Sequence, residues 1–183
     1  MPILPSATFA LACCGNSLTE LVHFRTRLHT LDCGGNKLTR LPVLGNTLKV
    51  LSCYNNPLTQ LPRLSDRLEV LDVRSCQLRA LPPLPPTLCE LRCNDGNALI
   101  ELVGMPAGLR QLYCSVDTRL PEAPPAALAN FVLCGGLHRV QMASSVGAVQ
   151  RLWRTHVHGY HSADRARVAA VVTRAPRMML LYL

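Results

Sequence analysis

The 183 residues carry 19 Lys and Arg against 11 Asp and Glu, a net charge of +8, and 49% of positions are apolar while only 4% are aromatic. Such a chain fits one domain or a repeat array with a cap. It holds too few rings for an aromatic core, so Leu, Val and Cys must do the packing.

The N-terminal stretch Met1 to Cys13 is apolar, and Leu11-Ala12-Cys13 has the look of a lipoprotein cleavage site. It lacks a basic start and prolines interrupt it, so the expectation is no signal peptide. Met1-Pro2-Ile3-Leu4 aligns instead with Leu41-Pro42-Val43-Leu44, forty residues on, which puts the chain in repeat register from its start. No apolar run approaches the ~20 residues that span a bilayer.

The repeat is clearest around Leu48 to Leu64, where it reads L-x-x-L-x-C-x-x-N-x-L-x-x-L-P-x-L. Twenty residues earlier, Leu28, Leu31, Cys33, Asn36, Leu38, Leu41, Pro42 and Leu44 fall on the same slots. Twenty residues later, Leu68, Leu71, Val73, Cys76, Leu78, Leu81, Pro82 and Leu84 do so. Self-similarity at a fixed period outranks local helix or strand signals. The first copy begins at Thr8, with Leu11, Cys13, Asn16, Leu18, Leu21 and Phe24 on core slots. Copy five (Leu88, Leu91, Cys93, Asn97, Leu99, Leu102, Met105) has one extra residue before its Asn. Copy six (Leu109, Leu112, Cys114, Asp117, Leu120) is one residue short, and copy seven (Leu128, Phe131, Leu133) degrades into CGGLHRV.

In each copy the apolar residues of L-x-C alternate with polar ones, as a short strand with one buried face requires. Stacked copies then form a parallel sheet. The ladder of Asn16, Asn36, Asn56 and Asn97, with Cys76 as a replacement, is expected to bond backbone groups of its own bend and of the next copy, which would otherwise be buried unpaired. The prolines of the return leg exclude a helix there and favour an extended, polyproline-like path. Five of the nine cysteines (Cys13, Cys33, Cys53, Cys93, Cys114) occupy the third core slot. Stacked thiols there lie about 4.8 Å apart, but their parallel Cβ vectors suit neither a disulfide nor a tetrahedral zinc site. The expectation is a reduced, intracellular protein.

These features resemble the leucine-rich repeat in its short, twenty-residue class. That class is best known from bacterial effectors injected into host cells, including the family whose repeats precede a novel-type ubiquitin ligase domain. Some large DNA viruses carry similar repeats. The resemblance covers about residues 1–138. It implies an α/β repeat solenoid, a leucine-rich-repeat horseshoe with short parallel strands on its concave face and an extended convex side. Neither the family's helical N-terminal cap nor its ligase domain has a counterpart in this sequence. Cys93-Asn94-Asp95 matches the C-x-D around that family's catalytic cysteine, but Cys93 stands on a core slot, which explains it structurally.

The period changes near residue 140, so the chain divides into a solenoid of about seven copies (1–140) and a C-terminal helical cap or tail (141–183). Val146, Val149, Leu152, Trp153 and Val157 recur at helical spacing, with Gly159 as a stop. Ser162 is expected to cap a second helix, with Val168, Val171 and Val172 on its buried face and Pro176 as its end, before the closing MMLLYL. Residues 1–138 carry a net charge of +2 and residues 139–183 a net charge of +6. The tail arginines, Arg151, Arg154, Arg165 and Arg167 among them, suit phosphate or an acidic surface, or simply a solvated helix face. No aromatic row or nucleic-acid motif accompanies them.

On such solenoids, binding uses the strand residues that alternate with the buried ones. The candidate protein-binding set is Asp32, Ser52, Tyr54, Asp72, Arg74, Glu90, Arg92, Asn94, Gln111 and Tyr113. Tyr54, Arg74, Arg92 and Tyr113 are of hot-spot types, with ion pairing of Asp72 to Arg74 or Arg92 as the competing explanation. His156, His158 and His161 read H-x-H-x-x-H, but positions two apart on a helix do not face each other. No metal or cofactor is expected. With no phosphate loop, nucleophile elbow or carboxylate pair off the repeat lattice, the expected function is a non-catalytic interaction module, a pathogen or viral factor binding a host protein in the cytosol. The alternatives are an adaptor recruiting a ubiquitin ligase through its C-terminal helices, and a structural protein self-associating through its N-terminal end.

Overall fold

The computed structural model describes residues 9–21, 27–135 and 139–161. Seven parallel strands stack in chain order: β1 (Ala10–Ala12), β2 (Thr30–Asp32), β3 (Val50–Ser52), β4 (Val70–Asp72), β5 (Glu90–Arg92), β6 (Gln111–Ser115) and β7 (Asn130–Gly135). Register follows the repeat, with Leu31, Leu51, Leu71 and Leu91 as successive partners. The next partners are Leu112 and Phe131, so the extra residue of copy five and the missing one of copy six are absorbed outside the strands.

The leucine and cysteine slots point into one continuous core. Leu31, Leu51, Leu71, Leu91 and Leu112 are wholly buried. Full burial of each such side chain contributes roughly 1.5–3 kcal/mol, and the stack repeats it at every level. Among the described residues, nothing in the return legs is helical. The legs before β3 to β7 each close in a tight turn, such as Leu88 N to Pro85 O at 3.1 Å and Leu109 N to Pro106 O at 3.1 Å, delivering the chain to its next strand.

The asparagine ladder exists, but it reaches backwards. Asn36 Nδ2 donates to Cys33 O and Gly34 O of its own bend and to Cys13 O of the preceding copy, while its Oδ1 accepts from Leu18 N at 3.0 Å. Asn56 repeats the pattern one level on. The expected bond to the next copy is therefore corrected to the preceding one, whose strand-end carbonyls lie within reach of the amide. The residue before each ladder position adopts positive φ: Gly15, Gly35, Asn55 and Ser75 lie between 51° and 67°. Copy five fits its extra residue by placing two such residues in series, Asp95 and Gly96. Asn97 still accepts from Leu78 N at 3.1 Å and donates to Val73 O at 2.7 Å.

The C-terminal end differs from a purely helical cap. A strand that the repeat pattern does not announce, β8 (Arg139–Ala143), pairs antiparallel with β7. One helix follows, α1 (Val146–His161), running two residues past Gly159. Ser145 caps it, accepting Ala148 N on Oγ at 3.3 Å. Of its expected stripe, Val149, Trp153 and Val157 are buried and Leu152 is partly buried, while the Val146 side chain lies outside the described residues; the Trp153 ring centroid lies 5.1 Å from that of Phe131. Trp153 Nε1 donates to Pro121 O at 2.9 Å, and His156 Nε2 lies 3.0 Å from Thr118 O. The expectations placed on Met1–Leu4, Phe24, the second helix from Ser162, Arg165, Arg167, MMLLYL and the side chains of His158 and His161 lie outside the described residues.

Candidate functional site

Because side chains alternate along each strand, the residues flanking the buried leucines line one outward face in three columns. The first runs through Thr30, Val50, Val70, Glu90 and Gln111, and the second through Asp32, Ser52, Asp72, Arg92 and Tyr113. The third continues each strand by two residues, through Gly34, Tyr54, Arg74, Asn94 and Ser115. All ten expected binding residues stand in these columns.

Two assemblies dominate the face. In one, Arg74 Nε and Nη2 clasp the Asp72 carboxylate at 2.9 and 2.7 Å, and the guanidinium lies 5.5 Å from the Tyr54 ring centroid on the neighbouring copy. The hydrogen bond to Asp72 raises the Arg74 pKa above its ordinary value, outweighing the opposing effect of partial burial. In the other, Arg92 Nε donates to Glu90 of its own strand, and the guanidinium lies 5.2 Å from the Tyr113 ring centroid. Tyr113 OH makes a long contact to Gln111 Oε1 at 3.4 Å. Both arginine side chains remain 38% exposed. They lean in opposite directions, Arg74 toward the N-terminal copies and Arg92 toward the C-terminal ones.

Several candidates also bond the turn they stand in. Asp72 is only 6% exposed and its Oδ1 also accepts Arg74 N at 3.2 Å, so it fixes both ends of that residue. Asp32 makes the same turn bond to Gly34 N at 3.2 Å. Asn94 is buried too. Its Nδ2 donates to Asp95 Oδ2 at 2.6 Å, while its Oδ1 has no partner among the described residues. Gly34 falls in an outward column by the repeat pattern but was not among the candidate binding residues. A Cβ there would fall 2.2 Å from Tyr54 Cε1, so the ring lies flat over a position that only glycine leaves open. The signal was present as a glycine in an outward column.

The ladder residues Asn36 and Asn56 and the thiol of Cys76 are buried and structural. Cys76 Sγ stands 3.4 Å from Cys53 O, where an asparagine amide stands in neighbouring copies. His156 faces inward from α1, against Thr118 O. Among the described residues, no three His, Cys, Asp or Glu side chains come together as a metal set, and no helix is long and apolar enough to cross a membrane.

No family model matches the sequence, and no curated protein matches it. Solved structures do. YopM from Yersinia enterocolitica WA-314 is similar at a TM-score of 0.55 and 28% identity over 72% of this chain and 34% of its own. YopM from Yersinia pestis, described as a leucine-rich effector protein, is similar at a TM-score of 0.60 and 28% identity over 72% of this chain and 44% of its own. The chain thus spans less than half the length of either. It is a leucine-rich-repeat solenoid resembling the repeat domains of such effectors.

Proposed function

We propose that this solenoid is a non-catalytic module that binds a host protein through its outward strand face, as a pathogen or viral factor acting in the host cytosol. The observation that carries this reading is the pair of Tyr–Arg–acid assemblies, Tyr54–Arg74–Asp72 and Tyr113–Arg92–Glu90. Each holds a long side chain in place before any partner arrives, which lowers the ordering cost of binding. Tyrosine and arginine are also the residue types that dominate interface energetics. The likeness to effector repeat domains supports the same reading.

The test is capture from host-cell lysate by the intact chain and by a Tyr54→Ala, Tyr113→Ala double variant. The species held by the intact chain should be lost from the variant, with melting unchanged within ~2 °C. Retention of those species would sink the assignment.

The adaptor reading is less favoured, because α1 spends its apolar side on the solenoid and offers a ligase only its outer side. Self-association has a specific observation behind it. Leu11, Cys13 and Leu18 of the first copy stay partly exposed, while their counterparts Leu31, Cys33 and Leu38 are at 0%.

A further inference from the structure

We propose that Cys53 and Cys76 form a site of reversible oxidation, which a peroxide closes into a disulfide tying copy three to copy four.

All nine cysteines are free thiols. Cys33 and Cys53 stand one residue past neighbouring strands and in register, so their side chains run parallel, which suits a disulfide poorly. Cys76 approaches from a different direction. It stands in the bend after β4, and its sulfur reaches back across the stack to lie 3.4 Å from Cys53 O and 3.6 Å from Arg74 O. There the Cys53 thiol donates a hydrogen bond to the Cys76 sulfur. That bond is the largest influence on both groups, raising the Cys53 pKa and lowering that of Cys76. Burial adds to the rise at Cys53. At Cys76 burial opposes the fall, and a bond from Asn56 N–H supports it.

Packing does not account for a thiol in this slot. Asn36, Asn56 and Asn97 fill it in other copies, and each accepts a backbone N–H of the preceding copy on Oδ1. With cysteine at 76, Leu58 N turns instead to Asn56 O, two residues back, at 2.7 Å. A position that breaks the rule of its own repeat at a cost in bonding is where function is expected.

The pair divides the chemistry. The Cys76 thiolate attacks one oxygen of hydrogen peroxide and the O–O bond breaks. Cys76 becomes a sulfenic acid, and the departing hydroxide leaves as water with the proton that Cys76 gave up. The Cys53 sulfur then attacks the Cys76 sulfur, forming the S–S bond and expelling the hydroxyl as a second water with the Cys53 proton. Two thiols and one peroxide thus give one disulfide and two waters, with two electrons passing from sulfur to peroxide. An added dithiol reverses the link by exchange. Cys53 is wholly buried and Cys76 nearly so, which suits an oxidant the size of water and disfavours a bulky one. The link lies directly behind the Tyr54–Arg74 stack, since Cys53 adjoins Tyr54 and the Cys76 sulfur touches Arg74 O.

The test treats the folded full chain with hydrogen peroxide, blocks the remaining thiols in denaturant and digests with trypsin. Cleavage after Lys49, Arg63, Arg74 and Arg79 puts Cys53 on residues 50–63 and Cys76 on residues 75–79, each as the sole cysteine of its peptide. The two peptides should emerge joined, two hydrogens lighter than their sum, and should separate after dithiothreitol. Cys76→Asn restores the repeat and so keeps the fold; in it Cys53 should remain a free thiol under the same treatment. Peptides that stay separate after an exposure that oxidises the exposed Cys14 would overturn the proposal. So would Cys76 carried to sulfinic acid without a link, or Cys53 joined to Cys33 instead.

Discussion

Replacing Cys76 by asparagine should make this protein more stable, although it puts a larger polar group in a buried slot. The backbone already has the required shape: Ser75 has φ of 51°, against 54° at Asn55 and 62° at Gly35 in copies that do carry the asparagine. In those copies the amide oxygen accepts the backbone N–H of Leu18, Leu38 or Leu78 at 3.0–3.1 Å. The equivalent Leu58 N has only Asn56 O, two residues back, at 2.7 Å. The thiol offers weak contacts in place of the amide donors, at 3.4 Å to Cys53 O and 3.6 Å to Arg74 O. Asparagine would add one acceptor for Leu58 N and strengthen two donor bonds. At about 0.5–1.5 kcal/mol net per bond, less the cost of ordering and desolvating the amide, the gain is about 1–2 kcal/mol. For a chain of this size that corresponds to a rise of roughly 3–6 °C in melting temperature. Reversible thermal or urea unfolding reads it directly, and Asn56→Cys should move the midpoint the other way. A Cys76→Asn variant with an unchanged or lower midpoint would refute the view that the ladder's amide bonds stabilise the stack.

The docked helix should respond to acid. Burial lowers the His156 pKa below the ordinary imidazole value, against smaller upward effects from its bond to Thr118 and from Asp117. Its charged form is therefore disfavoured in the folded state. The stability it contributes is present above the unfolded imidazole pKa, near 6.5, and is lost as pH falls through the lower folded value. Melting followed by Trp153 fluorescence should drop more between pH 7 and pH 5 in the native chain than in His156→Gln; equal drops would reject this assignment. Gly34→Ala should displace the Tyr54 ring from the strand face and so weaken partner capture as Tyr54→Ala does, with little change in stability. Capture equal to that of the native chain would show that the ring's position is immaterial.

The solenoid was legible because its period is strict. Once Leu31, Leu51, Leu71 and Leu91 are assigned to one slot, register and the outward face follow without further choice. The direction of the asparagine bonds was not legible, since spacing says that Asn36 is near a stacked turn and not which neighbour its amide faces. Nor was β8. After Leu133 the leucine pattern ends, and an antiparallel strand brings no repeat of its own to align. The partners of the arginines were only half visible. Asp72 stands beside both Arg74 and Arg92 in the lattice, and the choice is made by the stacking rings: Tyr54 draws one guanidinium back and Tyr113 draws the other forward. A pattern of letters does not record which way a flexible side chain leans.

That opposed leaning bears on how the face would recognise a partner. The chain is basic overall, yet its charged strand-face residues are two arginines and three acids, and both arginines are satisfied by acids of their own strands. A guanidinium already clasped by a carboxylate attracts phosphate or nucleic acid weakly, because the anion must compete with a neutralising group held in place. What remains available is the flat surface of each Tyr–Arg stack and the N–H groups that the acids leave unused. Recognition by such a surface depends on shape and on close, desolvated contact more than on long-range attraction. This favours a folded protein surface over a polyanion as the ligand of the face. It also separates the face from the tail, where most of the excess positive charge lies.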